Sequence, residues 1–562
     1  MTFKTLVLAT VSFAIPLHAQ PAQVDAPLST VASLFSIFHQ LCERDPELAS
    51  KAAVSLGAIA ARNDPVMASQ RANTLGALQA AFERFGTGCT RIDADSGWRP
   101  VGNAVRAFGE EGEAVLRSLR DQRIDLKLAD IAWQSLNDQA AVRPRADDEL
   151  AKSPLLDPPG RSLHVEPNTG DDKNDGVTKP VKTIKRAIRM AEPGDTIHLA
   201  PVLYYEYADL TLKHGALGRP ITLDGHGAVL DGSEPVMAKD WESTGDGVYR
   251  KQHLMRNMDT AVLGRFFLIW NGKANHMGRT SKGTSKPFKK AADLTVGEWT
   301  YTPEDDTVYV KIDPKQGLDE AKIRYPLRSA GVAESISCSH LVVRNVIATH
   351  VYNDGYNIHG LTRDCRFENI AAIDCGDDGF SAHDDCECDT DGFVSIGNST
   401  GLTDTVDSIT RFKNVYMRDN LGHDVFFIGE NFHSIENGLI ESSAQYALSI
   451  GVSGTHNFEG VSCPVELKNV LFRRLGSAQE GRVSRGGVLT ATRCSFIGMN
   501  VKPSYGGHMT LNQCVVSEAN PQISDATLEG ADTQGLQVLA NKAAAVVKQW
   551  EKLEGVVYSA SN

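Results

Sequence analysis

The chain has 562 residues and a formal net charge of −13, from 57 Lys and Arg against 70 Asp and Glu. That length exceeds what one compact core usually supports, so we expect two or more folded units. Hydrophobic residues make up 41% and charged residues 23% of the chain, which excludes disorder throughout. The negative balance argues against nucleic acid as a partner, because phosphate binding needs a surface rich in Lys and Arg.

The N-terminus has the pattern of a secretory signal peptide. Lys4 precedes the apolar run 6–17, and small residues at Leu17-His18-Ala19 suit a cleavage site. We therefore interpret residues 1–19 as a signal peptide and expect a secreted or periplasmic monomer. No later stretch is long enough to span a bilayer. In an oxidising compartment the 10 cysteines can form disulfides, and Cys42 with Cys89 is the pair that we favour.

Residues 20–155 are predicted to form an α-helical N-terminal domain. Asn63-Asp64-Pro65 and Thr87-Gly88 interrupt the helical pattern. Trp98 and Trp133 are interpreted as core residues, since nothing around them converges on chemistry. The first apolar positions at helical spacing are Val31, Leu34, Phe35, Phe38 and Leu41.

A different pattern begins after Pro154. A strand at 163–165 runs into the loop Gly-Asp-Asp-Lys-Asn-Asp-Gly at 170–176, then into a short amphipathic helix at 183–191. Pro193-Gly194-Asp195 ends the helix before a strand at 196–199. This order resembles the first coil of the secreted right-handed parallel β-helix proteins of the pectate-lyase-like superfamily. The resemblance implies that fold here.

A repeat supports the solenoid. Short apolar strands align on one column of Asn or Cys, at steps of 24, 45, 23, 32, 25 and 20 residues. We interpret the step of 45 as two coils, with the strand 392–396 between them. A period in the twenties is typical of a β-solenoid. We expect the column to be an interior ladder and no part of a site, with the members Asn345, Asn369, Asn414, Asn437, Asn469, Cys494 and Cys514.

These patterns predict an all-β fold: a right-handed parallel β-helix with an α-helical N-terminal domain, an inserted β subdomain and a C-terminal capping helix. We assign residues 156–235 to the N-terminal cap and first coils, and residues 329–530 to the main β-helix. Between them the period lapses, and aromatic-rich segments at 266–273 and 297–310 predict hairpins of an insert spanning 236–328.

Residues 531–562 are assigned to a C-terminal helix and tail. The segment 536–553 is amphipathic. We expect it to cover the final coil and the open edge of its sheet.

The stretch between Arg366 and Arg411 contains eleven acidic residues and no Lys or Arg. Such crowding requires solvation, protonation, distant bases or a cation. Hard oxygen ligands suit Ca²⁺, so calcium is the expected cofactor. Some Asp-Gly pairs here are equally compatible with simple turns, and the cysteines near His383 with a zinc site. The candidate calcium ligands are Asp384, Asp385, Glu387, Asp389 and Asp391.

Coil stacking would bring several polar residues onto one lateral surface. Residues one coil apart become neighbours at about 4.8 Å, and Asp354 and Asp378 are 24 residues apart. His423 lies 45 residues beyond Asp378, which is two coils. We predict Asp354, Asp377, Asp378 and His423 as catalytic residues. The candidate substrate-binding residues are Asn353, Asn357, His359, Arg363, His383 and Asp424.

This set resembles the polygalacturonase family, secreted β-helix hydrolases whose signature runs N-T-D, G-D-D and G-H-G on different coils. Asn353 and Asp354 take the first place without the Thr, and Asp377 and Asp378 take the second. His423 takes the third, followed by an Asp where the family has Gly. The resemblance implies that one Asp protonates the leaving oxygen while another activates water. No R-I-K element, which the family uses to hold a uronate carboxylate, follows His423.

Three functions remain open at this point. We expect a secreted carbohydrate-active enzyme that cleaves an acidic polysaccharide, either by paired-carboxylate hydrolysis or by Ca²⁺-assisted β-elimination. Related β-helix lyases use Ca²⁺ to neutralise a uronate and a Lys or Arg as base, yet no Lys lies between Lys322 and Lys413. The third is a non-catalytic glycan-binding or adhesion protein whose acids hold Ca²⁺ for rigidity. The fold alone does not choose among them.

Overall fold

The computed structural model describes residues 46–61, 68, 71–88, 98–122, 125–138, 160–255, 258–452, 461–475, 479–484, 486–517 and 530–556. The chain divides into two units, residues 1–156 with 216–218, and residues 157–215 with 219–562. The proposed signal peptide and the favoured pair Cys42 and Cys89 lie outside the described residues.

The first unit is helical throughout its described elements, as predicted. Trp98 and Trp133 are 2% and 1% exposed, so both belong to its core. The Asp125 side chain caps the last helix by accepting the Leu128 backbone N–H at 2.9 Å. The helices are α1 Pro46–Ala61, α2 Arg71–Gly88, α3 Trp98–Arg106, α4 Glu110–Gln122 and α5 Leu126–Asn137.

The second unit opens with the strand, loop, helix and strand that the sequence predicted. The Asp172 carboxylate accepts the backbone N–H and the hydroxyl of Thr183 at 2.9 and 2.8 Å. Thr183 in turn caps the helix by accepting the Arg186 N–H at 3.1 Å. The elements are β1 Ser162–Val165, α6 Ile184–Met190, β2 Thr196–Leu199, β3 Leu203–Tyr204, β4 Ala208–Asp209 and β5 Ile221–Asp231.

The insert forms two four-stranded antiparallel sheets with the orders β10-β9-β13-β6 and β11-β12-β8-β7. Both predicted hairpins are present, because β9 pairs with β10 and β11 with β12. The elements are β6 Ser233–Pro235, β7 Glu242–Gly245, β8 Val248–Gln252, α7 Thr260–Arg265, β9 Leu268–Trp270, β10 Lys273–Asn275, β11 Glu298–Thr302, β12 Thr307–Lys311 and β13 Arg324–Pro326.

The remaining coils stack in parallel. The step of 45 residues holds an extra coil, as predicted, and its strand is β19. The strands are β14 Ala330–Glu334, β15 Ser337–Thr349, β16 Asp354–Ile358, β17 Leu361–Ile373, β18 Asp378–Ala382, β19 Cys386–Ile396, β20 Thr400–Val406, β21 Ile409–Arg418, β22 His423–Gly429, β23 His433–Ser442, β24 Tyr446–Gly451, β25 Cys463–Arg474, β26 Gln479–Val483, β27 Gly487–Thr492, β28 Ser495–Ile497, β29 Met499–Pro503, β30 His508–Asn512 and β31 Val515–Ser517.

Two long parallel sheets run along the solenoid. A 14-stranded sheet runs β1-β2-β5-β15-β17-β19-β21-β23-β25-β27-β30, with β3, β28 and β31 attached to it, and a nine-stranded sheet runs β29-β26-β24-β22-β20-β18-β16-β14-β4. The core lies between them, where Phe367 and Phe380 meet edge to face at 5.1 Å. The predicted parallel β-helix fold is therefore confirmed.

The asparagine column serves a different purpose from the one expected. Asn345, Asn369, Asn414, Asn437 and Asn469 all have positive φ, from 49° to 60°. Asn tolerates this left-handed backbone better than other side chains, so the column marks a bend in each coil. Asn469 donates to Asn437 at 2.9 Å, which is the expected ladder. However, none of the five is buried, so the ladder lies at the surface and not in the interior.

The C-terminal helix α8, Thr533–Glu554, does not cap the final coil. It lies along the outer face of the 14-stranded sheet, where its Leu539 and Trp550 pack in one cluster with residues from Val229 of β5 to Ile497 of β28. A helix of 22 residues is about 33 Å long, which matches roughly seven strands at about 4.8 Å. The helix therefore covers a sheet face.

The eight cysteines in the described part of the chain are all unpaired thiols, and seven of them are buried. Cys375, Cys386 and Cys388 belong to the apolar core of the β-helix, which is the environment of a small hydrophobic residue rather than of a zinc ligand. Among the helices that the structure describes, none has the length and apolarity required to cross a membrane.

Candidate functional site

The candidate site forms where the insert meets the nine-stranded sheet. Lys282 and Arg265 come from the insert, and three carboxylates come from the turns that begin β16 and β18. We call Asp354, Asp377 and Asp378 the acid cluster; one oxygen from each lies within 4.8 Å of the others. Two cations from one subdomain therefore face three carboxyl groups from another.

Strand register places several candidate residues in one column. Asp354 Oδ1 accepts the Asp378 backbone N–H at 3.0 Å, across one coil. Asp378 is level with Thr400, and Thr400 is level with His423. Tyr446 follows His423 on the next strand. The structure thus brings Asp354 and Asp378 into contact and puts His423 two coils further along the same column.

The acid cluster is held by direct ion pairs. Lys282 Nζ lies 2.9 Å from Asp377 Oδ1 and 2.6 Å from Asp378 Oδ1. Arg265 contacts Asp377 Oδ2 at 3.1 Å and also donates to the Asn353 side-chain oxygen. Asn353 donates to Asp354 at 2.9 Å, which completes the ring of contacts. Asn353, a predicted substrate-binding residue, is therefore a link between Arg265 and Asp354.

Lys282 is held over the acids by a docked loop, residues 280–284. The Ser281 backbone N–H donates to Ser399 Oγ at 2.7 Å, and the Thr284 N–H donates to Gln445 Oε1 at 2.6 Å. Gly422 allows the close approach, because a Cβ there would lie 1.8 Å from the Lys282 carbonyl oxygen. The loop therefore requires a glycine beneath it.

Burial and neighbouring charges shift the pKa values of the three acids in opposite directions. Burial raises the pKa of Asp378 to about 6, and the Asp377 charge adds to this against the opposing effect of Lys282. Burial, together with Asp378 and Asp377, raises the pKa of Asp354 well above its usual value. Burial also acts on Asp377, but Lys282 and Arg265 outweigh it and keep its pKa below the usual value. Asp377 is therefore the acid of the cluster that ionises at the lowest pH.

Lys282 is a cation at neutral pH. Burial alone would lower its pKa, but Asp378 and Asp377 more than offset this and raise it. The side chain is 20% exposed, and that of Asp377 is 13% exposed, whereas Asp354 and Asp378 are each 2% exposed. The cluster consequently reaches solvent through Lys282 and Asp377.

His423 continues the site along the column. Its ring stacks on Tyr446 at 4.8 Å, and the Arg482 guanidinium lies 4.5 Å from the Tyr446 ring centre. Burial lowers the pKa of His423 to about 3, with contributions from Lys282 and Arg482, so the imidazole is neutral. A neutral imidazole and a phenol therefore follow the acids along the column, and an exposed guanidinium from β26 lies over the phenol ring.

His359 and His383 form a second pair of rings on the same sheet. The rings stack at 4.5 Å, and His383 Nε2 lies 2.6 Å from Ser381 Oγ. Asn357 is level with Ser381 in the register of β16 and β18. Burial, with His359 and Lys282, lowers the pKa of His383 to about 4. These side chains lie three or more residues along the strands from Asp354 and Asp378.

Two predicted substrate-binding residues are placed elsewhere. Asp424 shares the inward-facing position of Gly401, so its side chain is fully buried. Its carboxylate accepts a hydrogen bond from the Asn420 side chain at 3.0 Å. It therefore faces the interior while His423 faces outward. Arg363 belongs to β17 of the 14-stranded sheet, where it is 3% exposed and pairs with Asp385 at 2.6 Å.

The five predicted calcium ligands do not converge. Asp385 is held by Arg363, while Arg411 pairs with Glu387 at 3.0 Å and with Asp389 at 2.5 Å. The two others have separate neighbours: Asp391 accepts from Asn414 at 2.6 Å, and Asp384 accepts the Gly360 N–H at 3.1 Å. Arginines thus pair with three of these five acids and the other two have separate partners, so these residues do not fit a shared Ca²⁺ site.

The sequence analysis missed Arg265 and Lys282. A signal for them existed: the acidic stretch lacks any internal Lys or Arg, while the insert supplies Arg265, Arg279 and Lys282. Buried carboxylates need counter-charges from somewhere.

Comparisons with known proteins return no matching family model and no matching curated protein. Two solved structures are similar in fold. The complex of XylC with xylose shares 14% identity and a TM-score of 0.39, over 61% of this chain and 70% of that one. Pectate lyase Pel9A shares 14% identity and a TM-score of 0.28, over 64% of this chain and 80% of that one. At these values the similarity concerns the fold alone.

Proposed function

We propose that this protein hydrolyses glycosidic bonds in an acidic polysaccharide, at the acid cluster on the nine-stranded sheet. One observation carries the proposal: two adjacent carboxyls, Asp377 and Asp378, have pKa values displaced in opposite directions. Pairs of carboxyl groups whose environments separate their pKa values are the usual acid and base of glycosidases.

The roles follow from the protonation states. Asp378, with a pKa of about 6, donates its proton to the glycosidic oxygen as the C–O bond breaks. Asp377, held as a carboxylate by Lys282 and Arg265, takes a proton from the water whose oxygen bonds to the anomeric carbon. The products are two shorter chains, one with a new reducing end, and water is the only co-reactant. Arg265 and Lys282 are positioning residues in this scheme.

The substrate class is inferred from the cations near the column. Arg482 is level with Ser449, three residues along the strand from Tyr446, and its exposed guanidinium lies over the Tyr446 ring, so it can pair with a sugar carboxylate. Lys282 adds a second, partly exposed cation near Asp377. A polymer lying along the sheet would meet both charges, which favours an acidic chain over a neutral one.

Elimination is the less favourable chemistry for this cluster. A lyase would need a deprotonated base next to the α-carbon of a uronate, and the lysine here is a cation paired with two acids at 2.9 and 2.6 Å. Its raised pKa is the opposite of what a general base requires. The ammonium group also neutralises the oxygens that a divalent cation would bind.

The decisive experiment incubates the purified protein with acidic and neutral polysaccharides. On an acidic polysaccharide we expect new reducing ends, and we expect no unsaturated ends that absorb ultraviolet light. Asp378→Asn should lower turnover by at least about 10³-fold while the melting temperature stays close to that of the unaltered chain. Asp391→Asn, an exposed acid from the same segment, is the matched control and should keep full activity.

Three results would contradict the proposal. Unsaturated ends would show elimination. Full activity in Asp378→Asn would remove that residue from the chemistry. Binding of a polysaccharide without cleavage by the unaltered protein would make it a glycan-binding protein, with the acid cluster serving only to anchor the insert.

A further inference from the structure

Three histidines stack on the 14-stranded sheet, at the first coils of the β-helix. The rings of His164 and His198 lie 5.3 Å apart at 20°, and those of His198 and His226 lie 5.3 Å apart at 15°. His198 Nδ1 is 3.0 Å from His226 Nε2. This sheet is not the one that carries the acid cluster.

The chain follows an unusual course to bring His226 into this stack. His164 and His198 are direct partners in parallel register, but the residue level with His198 on β5 is Asp224. A bend at 225–227 returns His226 over His198, with φ of +51° at His226 and +89° at Gly227. Asn345 and Asn369 have the same left-handed φ at the bends of later coils, and His is among the residues that adopt it most readily. The bend therefore places the His226 ring over that of His198.

Asp224 faces the other nitrogen of His226. Its Oδ1 lies 3.5 Å from His226 Nδ1 and accepts the His226 backbone N–H at 3.2 Å. Arg344 and Asn345 hold the same carboxylate at 2.7 and 2.9 Å. A histidine with a carboxylate beside one nitrogen and a second imidazole nitrogen beside the other has the arrangement of a metal ligand with its orienting group.

The distances suit a tetrahedral metal ion. Two nitrogens bound to one Zn²⁺ at about 2.0–2.1 Å are roughly 3.3 Å apart, so the separation of 3.0 Å needs a shift of only a few tenths of an ångström. One ligand atom from each of His198, Asp224 and His226 lies within 4.8 Å of the others. A cavity of about 460 Å³, lined also by His164 and Glu166, adjoins these atoms.

We propose that His198 and His226 bind a divalent transition-metal ion, with Asp224 orienting His226 and with His164 and Glu166 as the nearest further donors. Imidazole nitrogen favours Zn²⁺, Cu²⁺ and Ni²⁺ over Ca²⁺ and Mg²⁺, which prefer oxygen. The ion would replace the single proton that now links the two rings. The site is independent of the proposed hydrolysis.

Calorimetric titration of the metal-free full chain with zinc chloride tests the site. The double variant His198→Asn, His226→Asn should lose one equivalent of bound Zn²⁺ relative to the unaltered chain. Asp224→Asn should weaken that equivalent by about 10- to 100-fold, the usual effect of removing an orienting carboxylate. The exposed His508→Asn is the control and should bind as the unaltered chain does.

Equal zinc stoichiometry in the double variant and the unaltered chain would overturn the proposal, and so would binding of calcium chloride at the same equivalent. A second measurement needs no variant: Co²⁺ added to the unaltered protein should give the visible absorption of a tetrahedral nitrogen-ligated ion. Loss of one bound Zn²⁺ in the double variant, with hydrolysis intact, would support the metal site and would not bear on the role of the acid cluster. Loss of hydrolysis alone, in Asp378→Asn, would leave this site intact.

Discussion

Lys282 Nζ lies 2.6 Å from Asp378 Oδ1, although 96 positions separate the two residues in the chain. The lysine belongs to the insert and the aspartate to β18 of the nine-stranded sheet, so the ion pair joins two subdomains. It also sets the protonation state of the site, because the same ammonium group pairs with Asp377 at 2.9 Å.

Hydrolysis should depend on pH with two limbs. The pKa of Asp378 is about 6, so the proton donor is lost as the pH rises through 6 and the rate falls on the alkaline side. The pKa of Asp377 is below its usual value, so the base stays ionised until the pH falls under that range. The profile of kcat/KM should therefore peak on the acid side of pH 6. A peak well above neutrality would contradict these roles.

Replacing Lys282 by Met should raise the pKa of both Asp377 and Asp378, because the cation that favours their ionised forms is removed. Carboxyl titration followed by NMR should show both groups ionising at higher pH, and both limbs of the rate profile should move with them. Lys289→Met, which removes a half-exposed partner of Glu298, is the control and should change neither. Unchanged titration in Lys282→Met would mean that the ion pairs do not control the site.

Replacing Gly422 by Ala should displace the loop 280–284. The new Cβ would lie 1.8 Å from the Lys282 carbonyl oxygen, and no such contact can persist. Amide hydrogen exchange at Ser281 and Thr284, whose N–H groups bond to Ser399 and Gln445, should accelerate. Gly264→Ala is the control, because its Cβ would meet nothing within 4 Å. Equal protection in Gly422→Ala and the unaltered chain would disprove the docking role of Gly422.

Asp404→Asn should make stability less sensitive to alkali. Asp404 is fully buried, and burial raises its pKa to about 8 despite the hydrogen bonds from Thr410 and Ala382. A raised carboxyl pKa means that the folded state holds a proton that the unfolded state releases. The stabilisation that protonated Asp404 gives the folded state is therefore complete below a pH of about 4, which is the pKa of an Asp in the unfolded chain. It declines as the pH rises to about 8, the pKa of Asp404 in the folded chain.

Urea unfolding across that pH range measures the effect. The unaltered chain should lose up to about 1.4 kcal/mol per pH unit from this group, and Asp404→Asn should lose less. Asp391→Asn, at an exposed position, should follow the unaltered chain. Parallel pH dependence in Asp404→Asn and the unaltered chain would show that Asp404 is ionised in the folded state.

Trp550→Ala should separate helix α8 from the sheet that it covers. The side chain is fully buried in the cluster that joins α8 to the 14-stranded sheet. Truncating a buried Trp typically costs about 3–5 kcal/mol, because contacts are lost and a cavity remains. The free energy of unfolding in urea measures this, with Val538→Ala, at an exposed position of the same helix, as the control. A loss below about 1 kcal/mol would mean that α8 contributes little to the covered face.

The sequence by itself determined the solenoid and most of its local elements. The helix at 184–190 begins after its Thr183 cap, the extra strand β19 falls within the long step of the repeat, and the asparagines recur in register. These features depend on residues close in sequence or on a constant period, so they can be read along the chain. The contact of Asp354 with Asp378 follows from the same period.

The tertiary structure decided the features that a constant repeat length along the chain does not predict. Asp424 faces inward beside an outward His423, and α8 lies along a sheet face and not over the last coil. The pairing of Lys282 and Arg265 with the acid cluster depends on how the insert folds back onto coils that come later in the chain. Ion pairs between distant segments leave no spacing in the sequence, because their partners meet only through the packing of everything between them.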